Sequence, residues 1–298
     1  VFESVPLPEV SRVKNIAMLA ANIPLSLKAV FDAALAAHYE LSLPAIARVV
    51  SDAIRTRAQL YFKKTRRACS EFEFAKSDGK TWMACRNMDA ELKTKIQQDP
   101  DQFFTDEEWL KNGNTCSVVA VEVNGKNYIL KRYNQKSLSY RLRHLFSTPR
   151  ALSSWSNGHV LRLFGVPTPR PVACLLVADG PLLRQGYLLM EKTSGETLDR
   201  VGTPTMLSLM PGLADEFASR WNELDALRAA HGDMKSSNFI LDEGHRLHLI
   251  DLDSLSFQKS DLEHNRKKRK GLARFLRNWK KSPELVKLFS ERLPVISE

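Results

Sequence analysis

The stretch His231-Gly232-Asp233-Met234-Lys235-Ser236-Ser237-Asn238-Phe239-Ile240-Leu241-Asp242-Glu243-Gly244-His245-Arg246-Leu247-His248-Leu249-Ile250-Asp251-Leu252-Asp253 decides how the rest of the chain is read. Asp233 and Asn238 stand five apart in a polar segment. Two short apolar runs follow, Phe239 to Leu241 and Leu247 to Ile250, on either side of Asp242-Glu243-Gly244. Apolar runs of this length around a glycine-containing turn predict a β-hairpin. Such a hairpin returns Asp251, at its far end, to the side of Asn238. A capping Asp on an ordinary surface loop would explain any one of these features, because Asp and Asn are common in turns. The complete order is far more demanding.

Two carboxylates and an amide gathered in this way answer the needs of phosphoryl transfer to a hydroxyl. One carboxylate must receive or orient the acceptor's proton, and oxygen ligands must hold magnesium against the phosphates of ATP. Asp233 suits the first task; Asn238 and Asp251 suit the second.

Upstream, two β-rich runs, the first ending at Val123 and the second Lys126 to Tyr133, flank Asn124-Gly125, a strong hairpin signal. Ahead of the first lies a polar loop with Gly113, Asn114 and Thr115, where backbone N–H groups can cover ATP phosphates. With Gly113 alone it is not G-x-G-x-x-G. The second run carries Lys131, an apolar strand's lysine one strand after that loop, in the place of the lysine that pairs the α- and β-phosphates. Protein kinases hold that lysine with a helix Glu. Here no Glu occurs between Glu122 and Glu191, so the sequence does not name its partner. Val172 to Val177 and Tyr187 to Glu191 read as further strands. The second runs through Met190 and Glu191 into the polar connector Lys192 to Glu196, the place of a hinge whose backbone would read adenine.

Of the 298 residues, 43% are hydrophobic and 26% charged, ordinary globular values with room for a substantial core. A net charge of +10 points to an anionic partner: nucleotide, nucleic acid, phosphorylated glycan or lipid surface. Cys69, Cys85, Cys116 and Cys174 are scattered without a CxxC pair, which suits a reducing compartment better than a disulfide framework or zinc site. The start at Val1 without Met suits a fragment of a longer protein, and no secretory leader is evident. The most apolar stretch, Ile16 to Leu35, is broken by Asn22, Pro24, Lys28 and Asp32, which is poor for a spanning helix.

Helical periodicity runs over residues 14–64, with Leu27, Val30, Phe31, Ala34 and Leu35, then Ile46, Val49, Val50, Ala53 and Ile54, on packing stripes. Ser42 is placed to cap the second helix with Pro44 in its first turn. Its basic end, Arg55 to Arg67, leaves a membrane-surface role open. Ser70 to Ala75 and Thr81 to Arg86 predict a hairpin around Asp78-Gly79, and Thr105 a short helix start. Lys136 to Arg150 is basic without any acid. Pro149 opens a helix bearing Leu152, Trp155, His159 and Leu163, ended by Gly165-Val166-Pro167. Met206 to Ala230 reads as mostly helical. Leu272, Phe275, Leu276 and Trp279 form an apolar stripe on a helix crowded with Arg266, Lys267, Lys268, Arg269, Lys270, Arg274, Arg277, Lys280 and Lys281.

With these residues in hand, the chain is similar to the lipopolysaccharide core kinase family, bacterial enzymes that phosphorylate heptose or Kdo sugars of the inner core. The similarity spans about residues 66–281. It rests on Leu110 to Cys116, Lys131-Arg132-Tyr133-Asn134, Gly165 to Pro169, His231-Gly232-Asp233 with Asn238, Ile250-Asp251-Leu252-Asp253, and Ala273-Arg274-Phe275-Leu276-Arg277-Asn278-Trp279. The resemblance implies an α+β, bilobal protein-kinase-like fold. Motif order then divides the chain into an N-terminal helical extension (1–67), a mainly β N-lobe (68–191) and a mainly α C-lobe (192–298) with the catalytic loop and a basic C-terminal helix. It implies ATP and Mg2+, a lipopolysaccharide core glycolipid as acceptor, no nucleic acid, and a peripheral position on the inner face of the cytoplasmic membrane. The implied roles are Lys131, Gly113, Asn114, Thr115, Met190 and Glu191 on ATP, Asp233 as catalytic base, Lys235 at the γ-phosphate, and Asn238 and Asp251 on magnesium. His231 braces the loop and Asp253 supports the metal site. The Ile-Asp-Leu-Asp ending replaces Asp-Phe-Gly, and the short run from Asp253 into the basic tail leaves no evident activation segment. A RIO-like protein kinase and a nucleotide-binding pseudokinase scaffold remain open as alternatives at this point.

Overall fold

The computed structural model describes residues 9–39, 43–105, 109–134, 147–180, 182–201, 205, 208–209 and 212–293. Three helices come first, α1 (Glu9–Ala20), α2 (Lys28–Tyr39) and α3 (Leu43–Lys64). Pro44 occupies the first turn of α3, where a missing N–H leaves no bond unmade. The expected cap Ser42 lies outside the described residues. Ile46, Val50, Ile54 and Ala58 recur every four residues along α3 and are buried together, which is the packing role their periodicity suggested.

The sheet follows from its turns. Asp78 and Gly79 take φ of 47° and 72° between β1 (Phe72–Ser77) and β2 (Lys80–Cys85). Asn124 and Gly125 take 51° and 70° between β4 (Cys116–Val123) and β5 (Lys126–Asn134). Two positive φ values in a two-residue loop match the twist of the flanking strands. Between these hairpins lie α4 (Ala90–Gln98), capped by Asp89, and β3 (Trp109–Gly113). The helix expected to start at Thr105 runs into residues 106–108, outside the described residues, as does the basic stretch 135–146. Then come α5 (Arg150–Leu163), β6 (Pro171–Asp179) and β7 (Leu182–Glu191). The seven strands run β1-β2-β6-β7-β5-β4-β3, antiparallel throughout. Ala151 and Trp155 of α5 are buried with Phe72, Met83, Cys174 and Leu188 of the sheet.

Beyond β7 a polar connector leads to β8 (Glu196–Thr197). Gly195 within it has φ of 102°, and a Cβ there would lie 2.1 Å from the carbonyl oxygen of Leu241, so only glycine fits. The remaining elements are α6 (Gly212–Ala226), β9 (Ala229–His231), β10 (Phe239–Leu241), β11 (Leu247–Leu249), β12 (Leu255–Phe257), α7 (Asp261–Arg277) and α8 (Pro283–Arg292). The helix expected to reach Ala230 stops at Ala226. Arg228 turns to a φ of 46°, and Ala229 to His231 pair with Phe257 to Leu255 instead. Tertiary pairing has overridden the helix preference of Leu and Ala here.

One buried cluster joins α1 and α3 to Val160, Leu161 and Phe164 of α5, to Phe217 of α6, and to Phe275 and Phe289 of the last two helices. Phe275 stacks on Phe217 with centroids 3.9 Å apart. The sheet has its own clusters, whereas the hairpin residues Phe239, Leu241, Leu247 and Leu249 belong to the helical one.

Candidate active site

The predicted hairpin forms, pairing Phe239 with Leu249 and Leu241 with Leu247. Just beyond it the Ile250 N–H donates to Asn238 O at 3.0 Å, which brings Asp251 beside Asn238 as the spacing required. Asn238 Nδ2 donates to Asp233 O at 2.7 Å, tying the two ends of the loop. The Asp233 N–H donates to His231 Nδ1 at 3.2 Å. His231 Nε2 therefore carries the proton and donates to Ile250 O at 3.0 Å. Burial pushes the His231 pKa down despite that bond, so it acts as a neutral clamp between loop and hairpin.

Asp251 adopts the left-handed conformation, φ 61° and ψ 49°, uncommon for a residue other than glycine and a frequent mark of functional sites. Its carboxylate is ion-paired with Lys131 of β5, the partner that the sequence left unnamed. Burial opposes the Lys131 ammonium, but Tyr133, Asp251, Cys116 and Asp253 around it hold its pKa above the ordinary lysine value. Burial likewise opposes the Asp251 carboxylate, and Lys131 overcomes it, so that pKa lies below the usual range.

No acidic residue of α5 reaches this lysine. The helix instead contributes a cation at its first position, Arg150, whose Nε and Nη2 each lie 2.5 Å from Asp253 Oδ2. Arg150 Nη1 also donates to Thr115 O at 3.4 Å. Lys131 and Arg150 both lie over the Tyr133 ring, 4.8 and 5.0 Å from its centroid, and the Tyr133 hydroxyl meets Ser154 Oγ at 2.8 Å. Asn134 completes the arrangement by donating to Gly113 O at 3.2 Å and to Ser117 Oγ at 3.1 Å. Lys131, Tyr133 and Asn134 of the Lys-Arg-Tyr-Asn run thus link the β3–β4 turn to the acidic hairpin end, while Arg132 pairs with Asp101 at 2.9 Å. Asn114 and Thr115 form that turn and are exposed.

A cleft between the layers is lined by Lys131, Tyr133, Thr168, Leu188, Met190 and Asp251. Of the two residues expected at a hinge, Met190 lines it, whereas Glu191 pairs with Arg170 at 2.9 Å and its N–H donates to Arg170 O at 2.9 Å. Asn238 and Asp251 carry hard oxygen donors on segments joined by the Ile250 to Asn238 backbone bond, the chemistry that suits a divalent cation which keeps some of its waters. At the loop, Lys235 Nζ lies 3.1 Å from Asp233 Oδ2, and Arg274 Nη2 of α7 lies 2.5 Å from Asp233 Oδ1. The chemistry of Tyr133, Arg150 and Arg274 was missed in the sequence, although all three lie beside or within stretches that carried the resemblance or the basic runs.

An antiparallel lobe with a strand lysine, a connector, and a helical lobe carrying an Asp–Asn loop and an Asp-tipped hairpin make up a protein-kinase-like fold. The model of the lipopolysaccharide kinase (Kdo/WaaP) family matches residues 97–290, about two thirds of the chain, and the chain belongs to that family. It is therefore a phosphotransferase, a lipopolysaccharide kinase. A solved structure described as WaaP in complex with acyl carrier protein is similar at a TM-score of 0.47 and 15% identity, over 68% of this chain and 87% of that one. No curated protein matches.

Proposed function

We propose that this kinase transfers the γ-phosphate of ATP to a hydroxyl of a heptose or Kdo sugar in the lipopolysaccharide inner core, with Mg2+ as cofactor. The observation that carries the proposal is that Asn238 is tied to Asp233 and to the hairpin end, while Asp251, at that end, meets Lys131 in the cleft. Asp233 accepts the proton of the sugar hydroxyl as its oxygen bonds to the γ-phosphorus and the bond to the ADP oxygen breaks. Lys235, beside it, faces the charge moving onto the leaving phosphate oxygens. Lys131 exchanges Asp251 for the α- and β-phosphates, which frees the Asp251 carboxylate, together with Asn238, to hold the cation. Mg2+ in that place would neutralise charge between the phosphates. The Gly113-Asn114-Thr115 turn covers the phosphates with backbone N–H groups, and adenine lies against Met190. The Glu191 N–H, already donated to Arg170 O, takes no part in reading it.

Such an acceptor is lipid-linked, so the enzyme works peripherally at the inner face of the cytoplasmic membrane. Its basic surface supports this, and no helix among the described residues is long and apolar enough to cross a bilayer. The proposal keeps residues 68–191 and 192–298 as the two lobes. Phosphate incorporation from labelled ATP into core glycolipid, into a generic protein and without acceptor tests it. Asp233→Asn should lower glycolipid labelling by about 10²- to 10⁴-fold with the melting temperature and ATP binding retained. Labelling of protein in place of glycolipid, or an unimpaired Asp233→Asn enzyme, would overturn it.

A further inference from the structure

Both oxygens of the Asp233 carboxylate are covered by cations, Oδ2 by Lys235 and Oδ1 by Arg274. Oδ1 is shut off from solvent, so a sugar hydroxyl can reach it only when Arg274 moves. Lys235 belongs to the same loop as Asp233, and the proposed function gives it the γ-phosphate. Arg274 comes from another element, α7, and its side chain is half exposed.

Helix α7 is seated firmly enough for this contact to be specific. A Cβ at Gly271 would meet Met234 Cγ at 3.1 Å, so glycine lets the helix approach the catalytic loop closely. One turn on, Phe275 is fully buried against Phe217 and Phe239. Opposite this packed side runs a row at helical spacing, Arg266, Lys270, Arg274 and Arg277, all exposed. The row is about 16 Å long at 1.5 Å per residue. Arg274 is the member of it that is ion-paired, and between Arg266 and Lys281 there is no acidic residue. The lysines that turn inward are compensated, Lys267 by Glu263 and Lys268 by Asp225. Complementing the helix dipole accounts for Arg274 and Arg277 in the last turn. It does not account for Arg266 and Lys270, which lie too early. Arg266, Lys270 and Arg277 thus have no acidic partner among the described residues, and they flank the one member of the row that meets the Asp233 carboxylate.

We propose that Arg274, with Lys270, Arg277 and Arg266 behind it, forms the acceptor subsite: it binds phosphate or carboxylate groups flanking the reacting hydroxyl on the glycolipid. This rests on the proposed glycolipid acceptor and adds how that acceptor is recognised. The acceptor's anion draws Arg274 from Asp233 Oδ1, and the oxygen so uncovered receives the hydroxyl. A neutral sugar leaves Oδ1 covered. Neighbours at i,i+3 and i,i+4 are roughly 5–6 Å apart, so successive anions along the glycolipid meet successive cations.

The test compares wild type, Arg274→Gln and the triple variant Arg266→Gln/Lys270→Gln/Arg277→Gln. Labelled-phosphate transfer is measured to a phosphorylated core glycolipid in neutral detergent, and to the same glycolipid dephosphorylated with hydrogen fluoride. The triple variant should raise the KM for the phosphorylated acceptor about tenfold, with kcat and the ATP KM little changed and the effect fading in high salt. Arg274→Gln should also lose the wild-type preference for the phosphorylated over the dephosphorylated acceptor. Free guanidinium should restore part of the activity of Arg274→Ala, which a merely structural role would not allow. Acceptor KM values equal to wild type, or equal losses with both acceptors, overturn the subsite. So does a triple variant that loses binding to phosphatidylglycerol vesicles while its acceptor KM in detergent is unchanged, since the row would then serve only as a membrane contact. A wild type that labels no glycolipid removes the proposed function and the subsite with it. Normal wild-type transfer with unaltered variants removes the subsite alone.

Discussion

Tyr133 stands between two cations of different origin, Lys131 from its own strand and Arg150 from α5, and each cation meets an acid of the hairpin end, Asp251 and Asp253 respectively. In the protein-kinase pattern the helix supplies the acid and the strand the base; here the helix supplies a base and the acids come from the hairpin. Arg150 is 38% exposed, whereas Asp253 is 7% exposed, so removal of the arginine leaves a buried carboxylate without its cation. Arg150→Ala should destabilise the protein by about 1–3 kcal/mol, less than a fully buried pair because solvent reaches the guanidinium. It should also raise the ATP KM, since the Thr115 contact that steadies the turn proposed to cover the phosphates goes with it. Arg150→Lys should not recover either property, because one ammonium cannot replace the fork that spans Asp253 and Thr115. Chemical denaturation and ATP titration check both, and an unchanged ATP KM would detach Arg150 from the turn. Asp233, Asn238 and Asp251 were legible in the sequence because a short loop and a hairpin, both local, bring them together. The pairings of Lys131 with Asp251 and of Arg274 with Asp233 were not, since each depends on elements far apart along the chain.

Among the elements, α5 is the one on which sheet and hairpin both depend. Asn157 donates to Leu252 O and Leu255 O, each at 2.9 Å, and Trp155 Nε1 donates to Thr65 O at 2.7 Å. His159 sits deep on the same helix, edge-on to Trp155 at 4.2 Å and to Phe72 at 4.7 Å. Burial first, and then Arg170 and Arg162, push its pKa down to about 3. The folded protein thus holds His159 neutral, whereas the unfolded chain takes up a proton below about 6.5. Its contribution to stability is complete above that pH and is lost as the pH falls towards 3, by at most about 1.4 kcal/mol per pH unit. His159→Gln should therefore flatten the decline in denaturation midpoint between pH 7.5 and pH 4.5. An identical decline in the variant would place the acid sensitivity elsewhere. The Asn-Gly and Asp-Gly turns, the Lys131 strand and α5 were readable because their signals are local. The β9–β12 pair was not, because three-residue strands such as Ala229 to His231 carry no period of their own and exist only against Leu255 to Phe257. Helix α8, with Pro283 in its first turn, had a readable start signal that the basic residues before it obscured.

At the scale of the molecule, the three first helices are part of the enzyme's principal core. Ile46, Val50 and Ile54 of α3 share one buried cluster with Val160, Leu161 and Phe164 of α5, and the Leu25 N–H donates to Phe164 O at 3.2 Å. Deleting residues 1–64 uncovers that face, and the shortened protein should lose its cooperative unfolding transition and bind a hydrophobic dye. A truncated protein that melted within a few degrees of the full chain would show these helices to be dispensable. The same cluster holds Phe275 and Phe289, close to the other end of the chain. The order of synthesis then becomes a constraint. At about 5–20 residues per second the ribosome releases α1–α3 well before their partners, so their apolar stripes wait for a time of roughly tens of seconds. Until α7 and α8 emerge this cluster lacks Phe275 and Phe289, which lengthens the time its apolar stripes are open to off-pathway association.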